Sequence, residues 1–226
     1  PVGVSAGADG GGAAQSDNRV RLRAFRAQED QVYGANEPDN ILSILRDTDG
    51  LLFPYTPTIS VSQAVDYKNV DLVHSNGDIL AYNKTPSVTL SVSGDFTVQS
   101  QREGEYAIAV LHFLRVVSKM YFGEIDKASK KAGLPPPVLI FTGYGSYVFN
   151  NLPVVLKSHS YTFDKAMNMV NVETFRGGIV SIPAMFSIAM ELQVQQTPQA
   201  MRKTFSLDTF RTGELMRSRK TDSGWI

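Results

Sequence analysis

The chain of 226 residues contains no cysteine and only three histidines, and its charges cancel. The absence of cysteine excludes disulfides, cysteine metal sites and thiol catalysis. The 22 basic and 22 acidic side chains leave no net field that would attract nucleic acid or an anionic membrane. No stretch approaches the roughly 18 apolar residues of a membrane helix. With 42% hydrophobic residues, the chain can still bury a core in one large or two small domains.

The N-terminal segment, PVGVSAGADGGGAAQSDN, lacks the basic region and apolar run of a secretory signal. Pro1 suggests that an initiator methionine was removed, so we expect the natural start of a soluble protein made in the cytoplasm. Residues 1–18 are predicted to be a flexible Gly-rich arm, because they offer little apolar surface to offset chain entropy. The alternative is an arm that orders only against a neighbouring copy.

Motifs for enzymatic chemistry are also missing. His74, His112 and His159 do not stand at metal-ligand spacing. The glycines of TGYGSY resemble a phosphate loop, but no Lys-Ser/Thr follows and no helix opens there. Ser146 is the nearest approach to a nucleophile elbow, and its strand context is wrong. The sequence therefore predicts no catalytic residue, no metal site and no cofactor, and hence no enzyme.

Strict alternation of polar and apolar residues predicts strands. Arg19, Arg21 and Arg23 alternate with apolar neighbours, residues 87–93 alternate Ser or Thr with Val or Leu, and residues 187–195 alternate similarly. Roughly seven to nine strands are expected in total. The small polar faces are interpreted either as ordinary solvated sheet surface or as the lining of a wide channel.

Helices are predicted in two places. Apolar residues at spacings of three and four predict one long helix over residues 101–122, with a stop at Gly123. A shorter helix is expected over residues 41–45, capped by Asp39 or Asn40. Asn76-Gly77 predicts a tight reversal.

A hairpin is predicted between Leu134 and Phe163. Three prolines exclude a helix at its start, and two apolar runs flank a loop expected to contain Asn150, Asn151 and Pro153.

The C-terminal segment, about residues 200–226, is basic, with six basic and three acidic side chains, and ends in Trp225-Ile226. We expect this segment to dock on another subunit, since a frayed tail does not usually end in Trp-Ile. Nucleic-acid binding is the weaker interpretation because aromatic residues are sparse there.

Three stretches resemble the tail-tube proteins of contractile-tailed bacteriophages, specifically the family of baseplate tail-tube junction or tube-initiator proteins. The first runs from YTPTISV to KMYFG, the second from AGLPPPVLIF through FNNLPVV to Phe163, and the third is FSLDTFRTGELMRSRKTDSGWI. The order of a strand, GDF, an acidic helix start, MYFG and then PPPVL carries the resemblance. It extends from about Leu51 to the C-terminus and leaves the first 18 residues outside.

The resemblance implies a mainly β (α+β) fold: a β-sandwich or barrel with one flanking α-helix, in a single domain over residues 19–226. With the helix on the flank of the barrel, four apolar residues of the predicted hairpin would pack on it at Leu111 and Leu114, namely Val138, Ile140, Val148 and Phe149. Six copies would close into a ring around a β-barrel lumen. The implied function is that of a baseplate-proximal tail-tube ring in the virion. It would join the baseplate hub, or a second tube-junction protein, to the major tail-tube protein and initiate tube polymerisation. Duplex DNA would pass through the lumen at ejection without specific binding.

The resemblance also implies assembly in the host cytoplasm, with sheath or tape-measure protein as further candidate partners and no membrane. Alternatives within the same machinery are a major tail-tube or tube-terminator protein, or the inner tube of a type VI or extracellular contractile injection system. A different class is a hydrolase, or a sheet-face module that binds sugar or peptide. Loss of an enzymatic activity on replacing Asp66 or His159 would favour that class.

A lumen that passes DNA should be lined by polar or acidic side chains, so we expect the basic residues to meet protein partners instead. The predicted interface residues are Asn150, Asn151, Pro153, Tyr144, Arg19, Arg21, Arg23, Arg217, Arg219, Trp225 and Ile226.

Overall fold

A computed structural model of the chain describes residues 18–34, 40–74, 76–123, 132–145, 147–165, 168–174, 177–217 and 224–226. Strands account for 39% of the described residues and helices for 23%, which confirms the predicted mainly β class. The predicted N-terminal arm lies outside the described residues except for Asn18.

Eleven strands lie in the described part of the chain, more than the seven to nine predicted. They are β1 (Arg21–Ala24), β2 (Leu51–Leu52), β3 (Thr58–Ser62), β4 (Asp66–Val70), β5 (Ile79–Lys84), β6 (Thr89–Thr97), β7 (Leu139–Gly143), β8 (Phe149–Phe163), β9 (Met169–Glu173), β10 (Ile179–Pro183) and β11 (Met185–Val194).

Seven of these strands form one antiparallel sheet in the order β2-β1-β7-β8-β11-β6-β3. The other four form two separate hairpins, β4-β5 and β9-β10. Within the described ranges the large sheet does not close into a barrel, because β2 and β3 each pair on one side only. The β3 edge is open in this part of the chain, whereas at the β2 edge the Leu52 amide and carbonyl are bonded to the Tyr106 hydroxyl.

The helices of the described residues are α1 (Glu29–Tyr33), α2 (Ile44–Asp47), α3 (Gln101–Val117), α4 (Pro198–Lys203), α5 (Leu207–Arg211) and α6 (Glu214–Arg217), with a 3-10 turn at Arg26–Gln28. Only α3 is long. None of them has both the length and the apolar character needed to cross a membrane.

Helix α3 begins with a side-chain cap and ends earlier than the sequence predicts. Ser100 accepts a hydrogen bond from the Glu103 amide, and the Glu103 carboxylate accepts one from the Gln99 amide. The helix ends at Val117 rather than near residue 122. Beyond Ser118, the Tyr121 backbone instead pairs with residues 133 and 134, which draws the chain out of the helix.

The core lies between α3 and one face of the large sheet. It contains the fully buried side chains of Phe113 and Leu114 on α3, Phe96 on β6 and Phe141 on β7. The prediction that Ile140 of β7 packs on α3 is wrong by one position along the strand. Leu139 and Phe141 belong to the core, so alternation turns the buried Ile140 to the opposite face.

Candidate functional site: a polar sheet face and its borders

The candidate site is the face of the large sheet that points away from α3. On strands β3, β6, β11 and β8, alternate residues of this face are exposed or half-buried and mostly small and polar. The polar face consists of Thr58, Ser60, Ser62, Thr89, Ser91, Ser93, Asp95, Ser187, Ala189, Glu191, Gln193, Ser158, Ser160 and Thr162. The alternation over residues 87–93 and 187–195 predicts this division of sides, and the observed burial confirms it.

These side chains lie in rows that cross four strands. One row contains Ser60, Ser91, Glu191 and Ser158, each paired with the next across the ladder. Because neighbouring strands lie about 4.8 Å apart, such a row spans roughly 14 Å. The polar face is therefore a broad, shallow surface of short side chains rather than a pocket.

The polar face carries little charge, and that charge is mostly negative. Asp95 and Glu191 are its acidic residues, and Lys157, at an irregularity of β8, places its ammonium 2.7 Å from the Glu191 carboxylate. Both partners are well exposed, so this pair contributes at most about 1 kcal/mol. No arginine lies among these positions on β3, β6, β11 and β8, but Arg21 and Arg23 lie on the same face of the sheet at its β1 end. A DNA phosphate would find no cluster of cations here.

The strand predicted from the alternating arginines is β1, and its apolar and basic residues lie on opposite sides, as predicted. Val20, Leu22 and Ala24 are buried, and Arg21 and Arg23 lie on the opposite side, which is the side of the sheet that carries the polar face. With the polar faces turned inward these two arginines would also point inward, contrary to the expectation that they avoid the lumen. The Arg21 guanidinium lies 3.1 Å from the Asp49 carboxylate, and Arg23 donates a 3.0 Å hydrogen bond to Asn151 Oδ1. Arg21 and Arg23 thus have partners within the chain. The residue Arg19 is exposed.

Asn150 and Asn151 lie in a bulge of β8, which corrects the prediction that they form the hairpin loop. Between the pairs Phe141–Leu152 and Gly143–Phe149, β8 carries one residue more than β7. Asn151 accommodates the bulge with φ of 50°. The Asn150 amide donates a 2.7 Å hydrogen bond to the Met216 carbonyl, so the bulge binds the C-terminal segment.

The chain of this hairpin instead reverses between Gly143, the last residue of β7, and Phe149, the first residue of β8. Tyr144 and Gly145 both have positive φ, 55° and 86°, and supply the turn. Tyr144 is 43% exposed, and its place in an interface stays a prediction. Val148 is exposed in the same loop, so its predicted packing on α3 is wrong. Pro153 is buried within β8 and cannot offer a surface, which also corrects its assignment to the loop.

The described end of the C-terminal segment docks on its own chain. The Gly224 amide donates a 2.7 Å hydrogen bond to the Asn151 carbonyl, and Gln196 donates to the Gly224 carbonyl. The Trp225 ring lies 5.0 Å from that of Phe205, and Ile226 packs against the core. The side chain of Arg217 and all of Arg219 lie outside the described residues. The prediction of docking on another subunit stays a prediction.

The sequence did not predict the length of the hairpin β4-β5. It continues the β3-β6 ladder outward, its two strands pair with each other, and every residue of β5 is exposed. The exposed side chains include Tyr67, Tyr82 and several Val, Leu and Ile residues. We call residues 63–88 the arm. The Asn76-Gly77 pair was the available signal. The chain does reverse between β4 and β5, but Val70 pairs with Ile79, so the connection is longer than the tight turn predicted at Asn76-Gly77.

The two residues named for the hydrolase alternative lie on different units. Asp66 is the first residue of β4, in the arm, and accepts a hydrogen bond from Asn83. His159 lies on the α3 side of β8, where its ring stacks on Tyr161. The pKa of His159 is lowered by partial burial and by the nearby cations Arg115 and Lys119. The structure does not bring this pair together as an acid and a base.

No protein-family model matches the chain, and no curated protein is similar to it.

Proposed function

We propose that the chain is a structural protein of a contractile phage tail, the baseplate-proximal ring of the tail tube. Six copies would stand side by side with their polar faces inward, and the large sheets would join into a closed barrel. The observation that carries the proposal is the polar face. Its four adjacent strands expose short side chains, of which only two are charged, both acidic. Such a surface lets duplex DNA pass because it offers few cations to hold phosphates.

The open β3 edge of the sheet supports the same assembly. Among the described residues β3 pairs only with β6, so its outer backbone groups lack strand partners. At the other end β2 is only two residues long, and side chains already bond backbone groups there: Tyr106 bonds the Leu52 amide and carbonyl, and Tyr33 bonds the Ala24 amide, so a neighbouring strand would have to displace these contacts. Exposed edges invite pairing with another chain, and a ring in which each copy completes the next removes them. In this proposal the partners are sibling copies, the baseplate hub and the major tail-tube protein.

The experiment is electron microscopy of the purified protein with and without the major tail-tube protein. We expect rings with a central hole, and tubes of the major protein that begin on these rings. Tubes formed by this chain alone would instead indicate a major tube protein. The absence of rings, together with tube assembly that is unaffected by omission of the chain, would refute the proposal.

A further inference from the structure

A second surface of the chain has the chemistry to receive another copy. A groove of about 550 Å³ lies at the C-terminal end of α3, between this helix, α1 and the strand entry at Pro137. Its wall includes Val32, Val116, Met120 and Tyr121. Its charged side chains are Arg115 and Lys119, and no acidic residue lines it among the described residues. The groove is thus apolar at its base and basic at its margin.

The tip of the arm has the complementary character. Leu72, Val73, Ile79 and Leu80 are all exposed there, with Val73 at 85%. Two carboxylates, Asp71 and Asp78, lie among these apolar side chains, and the tip carries no Lys or Arg. An isolated two-stranded hairpin is at best marginally stable in water. A groove that is apolar and basic would stabilise such a hairpin by binding its apolar and acidic tip.

The tip does not occupy the groove of its own chain. Its side chains are exposed, and neither arm strand packs extensively on another element. The arm leaves the sheet at Ser62 and Thr89, on the β3 edge, whereas the groove lies beside β1 and β7. Four strand spacings, roughly 19 Å, separate β3 from β7 within one sheet.

The ladder register places both features at the same end of the sheet. Thr89 pairs with Gln193, next to Val194, which pairs with Val154, and Val154 pairs with Leu139 just after Pro137. A copy laid against the β3 edge therefore brings its β1 side, with its groove, to the base of the first copy's arm. Fully extended, the arm reaches at most roughly 40 Å from the edge.

We infer that the tip of the arm of one copy inserts into the α3 groove of a second copy. Leu72 and Val73 fill the apolar base, while Asp71 and Asp78 face Arg115 and Lys119. This inference rests on the proposed ring, since it needs a neighbour beside β3, and it adds the residues by which adjacent copies recognise each other.

The absence of cysteine permits a direct test with the full chain. A Val73→Cys chain is mixed with a Met120→Cys chain under mild oxidation, and disulfide-linked dimers between the two are measured. Met120 is 48% exposed and lies in the groove. The matched control is Met185→Cys, 38% exposed and at the opposite end of the sheet. We expect a dimer with Met120→Cys and little with Met185→Cys.

Charge reversal tests the proposed recognition within the same assay. Lys119→Glu should lower the yield about two- to fivefold, the effect of one surface ion pair, and Asp78→Lys on the Val73→Cys chain should restore it. Equal yields at Met120 and Met185, or no effect of either reversal, would overturn the inference. Rings seen by microscopy without the cross-link would refute the inference alone. Cross-linked copies that never close into rings would refute the proposed function alone.

Discussion

Asn151 shows how a single residue fixes the border of the polar face. Its backbone takes the left-handed conformation that the β8 bulge requires, with φ of 50°. Its side chain accepts from Arg23 on β1, and its carbonyl accepts from Gly224. One asparagine therefore connects the edge of the sheet, the bulge and the C-terminal segment. Asn is suited to this position because it tolerates positive φ better than other residues with side chains.

Replacing Asn151 should therefore lower stability in a graded way. Asn151→Val loses the acceptor for Arg23 and is strained at positive φ, and we expect the free energy of unfolding to fall by about 2–4 kcal/mol. Asn151→Gly loses only the side-chain acceptor and should cost about 1 kcal/mol. Urea unfolding monitored by circular dichroism measures both. Equal losses for the two variants would contradict the assigned backbone role.

Tyr106 provides a second test at this scale. Its hydroxyl accepts from the Leu52 amide and donates to the Leu52 carbonyl, which attaches α3 to edge strand β2. Burial raises the pKa of Tyr106 to about 12, from about 10 for a free tyrosine. Since the folded pKa is the higher one, the contribution to stability is complete below pH 10 and is lost as pH rises from 10 to 12.

The free energy of unfolding should thus decline steeply between pH 10 and 12 in the native chain. Tyr106→Phe should be less stable at pH 7 by about 1–3 kcal/mol, because Leu52 loses its partners. The variant should also show a shallower alkaline decline. Tyr33, whose pKa burial also raises to about 12, remains in both proteins and accounts for the residual slope. An unchanged slope in Tyr106→Phe would exclude the assigned contribution of Tyr106.

At the scale of elements, the strands that are buried on one side were predictable from the sequence. Strands β1, β6 and β11 keep a strict period of two because one face packs on the core and the other meets solvent. The β7-β8 hairpin was predicted, but its loop was misplaced. Asn150 and Asn151 suit a turn locally, and only the C-terminal segment bound at the bulge shows why they lie inside a strand.

The β9-β10 hairpin packs on α3 through a close approach that required a glycine. A Cβ built on Gly104 would lie 2.2 Å from a Val172 methyl carbon, closer than any real contact. Gly104→Ala should destabilise the protein by about 1–3 kcal/mol through overpacking, despite the helix preference of alanine. Combining it with Val172→Ala should recover part of the loss. Gly77→Ala is the control, since a Cβ there meets nothing within 4 Å. Thermal unfolding of these variants measures the effect, and an unaltered midpoint for Gly104→Ala would contradict this packing.

For the whole molecule, the proposed function depends on which surfaces stay exposed and which strand edge stays unpaired in a single copy. The α3 side of the sheet is complete, with a packed core. The opposite side exposes the polar face, β3 offers an unpaired edge, and the arm projects apolar residues. The sequence predicted the polar alternation and the turn of the arm. It could not predict which edges stay open, because strand order depends on long-range pairing.

The weak charge of the polar face predicts weak DNA binding. Assembled native rings should not bind duplex DNA appreciably at physiological salt. Replacing Ser93 and Ser187 with lysine adds two cations per copy to the polar face, and such rings should bind duplex DNA with strong salt dependence. Fluorescence anisotropy with a labelled duplex measures this. Tight binding by the native ring, or none by the lysine variant, would argue against a polar face that lines the lumen.

The most direct test of the central claim is a subunit-resolution electron-microscopy image of the assembled protein. The account predicts a six-fold ring in which β3 of each copy pairs with the β1-β2 edge of the next and the polar faces line the hole. A particle in which each chain stands alone, with β3 unpaired and the polar face pointing outward, would contradict it.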